Sequence, residues 1–299
     1  MTSSDLYTKA NHAAFFQAFP FNQLTAEQQL SIEAKLIHHQ FAPGELLYAA
    51  NQFPEWVHWI VQGRVRLLGA AADQSPTLGI LEAGNLVGWE SFVRRVAIGS
   101  AQAMISVADG DDVQTIALPA DDFETLVVSH LRSAFAHTLS RVELFDTLAR
   151  FVARAANHTP STLLKDTVDF LIQNQLAYIE QSDLSTQRFS QQSAPPLSPD
   201  CIWLVSGGEA LNLPIGSRVK DRSQLKRVRA SPFPVRLLGI DRPVLISVIK
   251  DGCLPAVETL PRPQDSLLKS TPVNQPMVGV DSAAIEVAPA IDPVPESST

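Results

Sequence analysis

Few side chains in this sequence are placed for covalent or metal chemistry. Cys201 and Cys253 are the only cysteines, and all seven histidines lie at or before His158, so Cys253 lacks the downstream histidine that a papain-like peptidase order requires. Both read as reduced structural thiols. His38, His39 and His58 have no Asp, Glu or Cys at ligand spacing beside them, which favours ordinary strand histidines over a metal site. Asp109 to Asp112 is a DGDD run without the spaced acids and distal glutamate of a calcium loop, and reads as a hairpin turn. Arg218, Lys220, Arg222, Lys226, Arg227 and Arg229 form the one basic cluster. No aromatic residue interleaves it, so a solvated loop is the plainer reading than an RNA or lipid contact. The sequence holds no G-x-x-x-x-G-K-[ST] phosphate loop. The expectation is therefore a chain that is not an enzyme by itself.

The 299 residues carry a net charge of −8, which argues against a nucleic-acid-coating role. The apolar stretch Val96 to Ala108 is interrupted by Ser100, Gln102 and Ser106 and is too short to span a bilayer; the opening MTSSDLYTKANHAAFF lacks a signal-peptide pattern. A cytoplasmic chain without a transmembrane segment is expected. Six of the 21 prolines fall in residues 1 to 194 and fifteen in 195 to 299, so regular structure should dominate the first two thirds.

Periodicity then places the elements. Leu6 to Phe19 reads as a helix stopped by Pro20, and a second helix starts at Thr25, with Gln28 at the capping-box position. Seven strand-length segments follow between about 38 and 119, separated by Pro43-Gly44, Gly63, Gly84 and the acidic run, which suggests an antiparallel sandwich or barrel. After Pro119 a helical period takes over. Leu131, Phe135, Thr138, Val142, Phe145, Ala149 and Val152 repeat at 4-3-4-3 spacing, a seam that either packs on the barrel or pairs with a second copy as a homodimer through helix 131–152. A further helix is expected from Ser161 to Ile179, then a polar proline-rich loop, then strands at CIWLVSGGEALNLPIGSRV, FPVRLLGI and VLISVIK. From about Pro261 the chain reads as an acidic, proline-rich linker or tail. The expected organisation is 1–156 as a barrel domain with its helices, 157–260 as a helix plus a small β-rich accessory region, and 261–299 as tail.

The order of FAPGELLYAANQFPEWVHWIVQGRVRLL, LGILEAGNLVGWES and LPADDFETLVVSHL, followed by a long helix, resembles the cyclic nucleotide-binding domain family over residues 15 to 155. The resemblance implies a mainly β jelly-roll barrel with flanking helices, a hairpin turn at Gly63 and a regulatory role. In that family a cassette between two strands holds the cyclic phosphate. Free N–H groups at a short helix attract the anion, a glutamate accepts the ribose hydroxyl and an arginine makes charge-assisted bonds to the phosphate. Here the cassette is GNLVGWESFVRRVAIGSAQAMIS, which implies candidate ligand residues Gly88, Glu90, Ser91, Arg94, Arg95, Gly99, Ser100 and Ala101. Glu90 falls at or one place beyond the ribose position, because Trp89 follows Gly88. Gly99 stands where the phosphate arginine belongs. Losing that arginine removes bonds worth roughly 1.5–3 kcal/mol each, about ten- to a hundred-fold in affinity. Cyclic nucleotide (cAMP or cGMP) is the ligand implied, with tight binding unexpected. Arg94 and Arg95 either swing inward as replacement cations or form a solvated basic turn, the latter being the plainer reading.

The cassette GWESFVRR with IGSAQAMISVADGDDVQTIALPADDF is similar to that of cyanobacterial peptide- or bacteriocin-exporting ABC transporters, which implies an exporter as partner and this chain as a stand-alone relative or the front of a longer exporter. The function implied is a non-enzymatic regulatory module. The alternative is a regulator like the catabolite activator protein, for which residues 160 to 195 supply no recognisable helix-turn-helix.

Overall fold

A computed structural model describes residues 3–71, 74–104, 112–155, 159–182, 196–209, 211–226 and 233–255. The acidic tail, most of the proline-rich loop, Asp109 to Asp111, Arg227 and Arg229 lie outside the described residues. The chain enters through helices α1 (Ser3–Gln17) and α2 (Ala26–Glu33). The expected capping box closes α2: the Gln28 N–H donates to Thr25 Oγ1, and the Thr25 N–H donates to Gln28 Oε1 at 2.9 Å.

Eight strands follow: β1 (Ile37–Phe41), β2 (Leu46–Tyr48), β3 (Trp56–Gln62), β4 (Val65–Leu68), β5 (Thr77–Leu81), β6 (Leu86–Val87), β7 (Ser100–Ala103) and β8 (Val113–Pro119). They pair antiparallel in two sheets, β1-β8-β3-β6 and β2-β7-β4-β5, as a jelly roll. Two-residue β6 is one strand more than the seven expected, being too short to show alternation. The Gly63 turn, expected to close a hairpin, instead carries the chain from one sheet to the other. β3 pairs with β6 and β8, whereas β4 pairs with β5 and β7. Gly63 has φ +86°, and a Cβ there would lie 3.0 Å from Val113 Cγ2, so the corner requires glycine.

The expected long helix is broken. Beyond α4 (Ala120–Asp122) and a π-helical turn at Phe123–Val128 come α5 (Arg132–Phe135) and then α6 (Arg141–Arg154). Ser140 caps α6 in an extended conformation, accepting from the Glu143 N–H at 3.1 Å, which ends the seam's continuity. Its two halves enter different cores. Leu131 and Phe135 pack with Trp89, Phe92 and Phe123, whereas Val142, Phe145 and Val152 join the barrel interior. Phe145 lies so close to Gly69 that a Cβ there would sit 2.5 Å from its ring. The stripe, expected either to pack on the barrel or to pair with a second copy, packs against residues of this chain.

The remaining elements are α7 (Ser161–Gln173), β9 (Ala177–Ser182), β10 (Cys201–Gly207), β11 (Arg218–Val219), β12 (Val235–Asp241) and α8 (Arg242–Asp251), with antiparallel sheet order β11-β10-β12-β9. Two expectations are corrected. The helix expected to reach Ile179 stops at Gln173: Gln175 turns left-handed at φ +55°, and Ile179 faces Leu238 from a strand. VLISVIK, expected as a strand, is helical, because the Asp241 carboxylate accepts from the Val244 N–H, Pro243 suits the first turn and Gly252 at φ +64° ends the helix. Among the described residues no helix is long and apolar enough to cross a membrane.

Candidate functional site

Strand β6 delivers the chain to Gly88, whose φ of +91° and 3.3 Å approach of a built Cβ to the Trp56 carbonyl oxygen suit glycine. Helix α3 (Glu90–Arg94) follows, and Arg95, left-handed at φ +59°, ends it. β7 then runs between β2 and β4, with Ala101 opposite Tyr48 and Leu67, and Ser100 opposite Leu68. Gly99 immediately precedes it. A Cβ at Gly99 would stand 2.0 Å from the Leu68 carbonyl oxygen, so no side chain, arginine included, fits this backbone.

Neither expected role for the two arginines holds. Arg94 is fully buried. Its Nε and Nη2 donate to the Ser206 carbonyl oxygen at 3.0 and 2.9 Å, and Nη2 also donates to Asp146 Oδ2 at 2.8 Å and Thr147 Oγ1 at 3.2 Å. Arg95 pairs with Glu124 and stacks its guanidinium 4.3 Å over the Phe233 ring. The Ser206 carbonyl of β10 and the Asp146 carboxylate of α6 hold Arg94, and the Glu124 carboxylate of the π-helical turn holds Arg95, so the two arginines are partnered within the chain.

Arg94 belongs to a buried cluster that the sequence reading missed. Arg236 on β12 donates through Nε and Nη2 to the Glu143 carboxylate at 3.1 and 3.0 Å, and its Nη1 and Nη2 donate to the carbonyls of Phe135 and Thr138, both at 2.8 Å. Ser206 on β10 donates to Glu143, and Thr147 bonds Ser206 Oγ at 3.3 Å. Arg94 and Arg236 thus face Glu143 and Asp146, two charges of each sign. Backbone contact is as close: the Gly208 N–H donates to the Arg94 carbonyl at 3.0 Å, and a Cβ on Gly207 would lie 2.9 Å from that oxygen. Gly207-Gly208 is the sequence signal that could have marked this approach.

Glu90 is buried beside the cluster. Desolvation pushes its carboxyl up to about 7; the Glu143 carboxylate adds to this, while Arg94 and a hydrogen bond with Ser140 oppose it. Ser91 is fully buried. A cavity of about 490 Å³ opens between β5, the 135–142 link and α7, and among the described residues Glu90 is the expected site residue that lines it. Its walls include Phe19, Leu78, Trp89 and Phe135, with Trp89 and Phe135 stacked at 5.2 Å. Arg141, Lys165 and Asp169 line it too, both cations being paired with Asp169.

The other candidates resolve structurally. His58 is buried, bonds Thr115 Oγ1 through Nδ1 at 3.1 Å, and is driven down to about 3 by burial and by His39. Among the described residues no group of His, Cys, Asp and Glu could hold a metal. Cys201 is buried with its thiol pushed up by desolvation, 3.5 Å from the Tyr178 hydroxyl, and Cys253 is exposed. Arg222 pairs with Glu180, so the basic cluster is partly neutralised.

Residues 38–130 match the family model for the cyclic nucleotide-binding domain. No curated protein matches the sequence. Among solved structures, similarity extends to the regulatory subunit of a cAMP-independent protein kinase A from Trypanosoma cruzi bound to guanosine, at 18% identity over 52% of this chain and 53% of that one, TM-score 0.39. The regulatory domain of Toxoplasma gondii protein kinase A with cAMP shows 11% identity over 84% and 95%, TM-score 0.38, and a cyclic nucleotide-binding-like protein from Brucella abortus 14% over 40% and 97%, TM-score 0.33. The chain spans about half the length of the first structures it matches.

Proposed function

We propose that the chain is a non-enzymatic regulatory module in which a cyclic nucleotide-binding-type barrel, built without the phosphate cation, is bonded through its cassette helix to a second β-rich unit. The observation that carries this reading is Arg94: a buried cassette arginine whose guanidinium serves the Ser206 carbonyl and Asp146. A change in the barrel that moved α3 would have to move β10 with it, which is the physical requirement for transmitting a state. The division into a barrel unit up to about 156, an accessory unit to about 260 and a tail is part of the same proposal. So is association with a peptide-exporting ABC transporter, which rests on the resemblance of the cassette around Gly88 to Arg95.

Calorimetric titration with cAMP and cGMP tests the reading. The expected result is no saturable heat below millimolar nucleotide. Micromolar binding of either would show that the missing arginine is replaced elsewhere and would overturn it. Affinity capture with the tagged chain from its source cells tests the exporter, whose absence from repeated captures would sink that part alone.

A further inference from the structure

Glu90 and Arg94 begin and end the single turn of α3, four residues apart and so on one face of it. Arg94 commits Nε and Nη2 to the Ser206 carbonyl oxygen, Asp146 and Thr147, and among the described residues its buried Nη1 has no acceptor. The charges around these two residues balance while Glu90 is neutral: Arg94 and Arg236 face Glu143 and Asp146, all four withdrawn from solvent. Tyr48 of β2 and Ser140 before α6 complete the surroundings. Across the cavity that Glu90 lines stand Arg141, Lys165 and Asp169, with both cations paired to Asp169. A Glu90 carboxylate would be a third anion beside two cations that already have partners, and burying such a charge is costly. Burial accordingly pushes the Glu90 carboxyl up to about 7.

We propose that the junction between α3 and β10 is a pH-sensitive clasp, closed while Glu90 keeps its proton and loosened when that proton is lost; the proposal rests on reading Arg94 as the link between the barrel and the β11-β10-β12-β9 sheet. The proton leaves to solvent by way of the cavity that Glu90 lines. The carboxylate left behind repels Glu143 and attracts Nη1, the nitrogen of the Arg94 guanidinium that has no acceptor. Arg94 is drawn from Ser206 and Asp146 towards its own helix, and α3 parts from β10 more readily. The closed junction holds the proton up to about 7, whereas an opened, solvated Glu90 releases it at the ordinary 4.5, so opening becomes more favourable as pH rises. Between pH 6 and pH 8 the opening equilibrium should rise about tenfold.

The test is amide hydrogen exchange on the full chain, wild type and Glu90→Gln, at pH 6 and pH 8 with the intrinsic exchange rates corrected. In wild type the amides of residues 90–94 and 201–207 should together lose about tenfold in protection at the higher pH. Glu90→Gln, which stays neutral, should keep its protection at both. Because that variant touches a buried cluster, a second measurement uses wild type alone. With isotope-labelled glutamate, the Glu90 carboxyl should titrate near 7, and the amide signals of 201–207 should move with the same midpoint. Wild-type protection that ignores pH, an equal loss in Glu90→Gln, or a Glu90 midpoint near 4.5 overturns the clasp and leaves the Arg94 link standing. A loss in 90–94 that leaves 201–207 untouched overturns the clasp and the link together.

Discussion

Arg236 and Glu143 meet as a two-bond pair, 3.1 and 3.0 Å, with both side chains almost fully withdrawn from solvent. The same guanidinium closes the carbonyls of Phe135 and Thr138 at the break between α5 and α6. The β11-β10-β12-β9 sheet therefore fixes the link that follows the barrel. Removing one partner leaves the other charged and buried, which typically costs about 3–5 kcal/mol. Arg236→Met should lower unfolding stability by about that amount in urea titration, and Glu143→Gln by a similar amount. Combining them should cost clearly less than their sum. Additive losses, or losses under about 1 kcal/mol, would show that the pair does not join the units.

Restoring the family arginine should not restore the family's binding. With 2.0 Å between a Cβ at Gly99 and the Leu68 carbonyl oxygen, both Gly99→Ala and Gly99→Arg force β4 and β7 apart. Each should destabilise by at least about 1–3 kcal/mol, the usual range for overpacking. Calorimetry on Gly99→Arg should give no cAMP heat, and thermal melts should show both variants lowered. A stable Gly99→Arg that binds cAMP would contradict the backbone reading.

Glu90 gives a pH dependence opposite to that of an ordinary ion-paired carboxylate. Its folded pKa of about 7 lies above the unfolded 4.5, so between these values the folded state holds a proton that the unfolded state has released. Its contribution is fully present below pH 4.5 and is lost as pH rises through 7, on the order of 3 kcal/mol. Tyr48, Glu143, Arg94 and Ser140 surround it. The stability of Glu90→Gln relative to wild type should therefore increase from pH 4.5 to above 7. A flat difference would remove the assignment.

His58 acts in the other direction. Its pKa, lowered from 6.5 to about 3, makes the folded state shed a proton that the unfolded chain keeps. Stability is therefore lost as pH falls from about 6.5 towards 3, on the order of 5 kcal/mol. His58→Asn, which keeps a polar group near Thr115, should reduce the acid sensitivity in pH-dependent denaturation. An unchanged acid limb would show that His58 titrates normally.

The barrel was legible because its strands carry alternation and are bounded by Gly44, Gly63 and Gly84, and because Thr25 with Gln28 marks a helix start. What misled were local patterns overridden by neighbours. The seam from Leu131 to Val152 is periodic, yet Ser140 caps a new helix and Arg236 occupies the open carbonyls. VLISVIK has a strand's composition, but Asp241 and Pro243 start a helix there. Arg94 could not be placed from sequence, because its partners lie 52 to 112 residues away. Glu90 was singled out for a sugar hydroxyl, while Trp89 and Phe135 in the same cavity gave no signal apart from ordinary core residues.

Hydrogen exchange on wild type and Arg94→Met reads whether Arg94 ties the cassette helix to the β11-β10-β12-β9 sheet. In the variant, amides of residues 90–94 and of 201–207 should lose protection together, while β3 and β8 keep theirs. Loss confined to residues 90–94, with 201–207 unchanged, would contradict it.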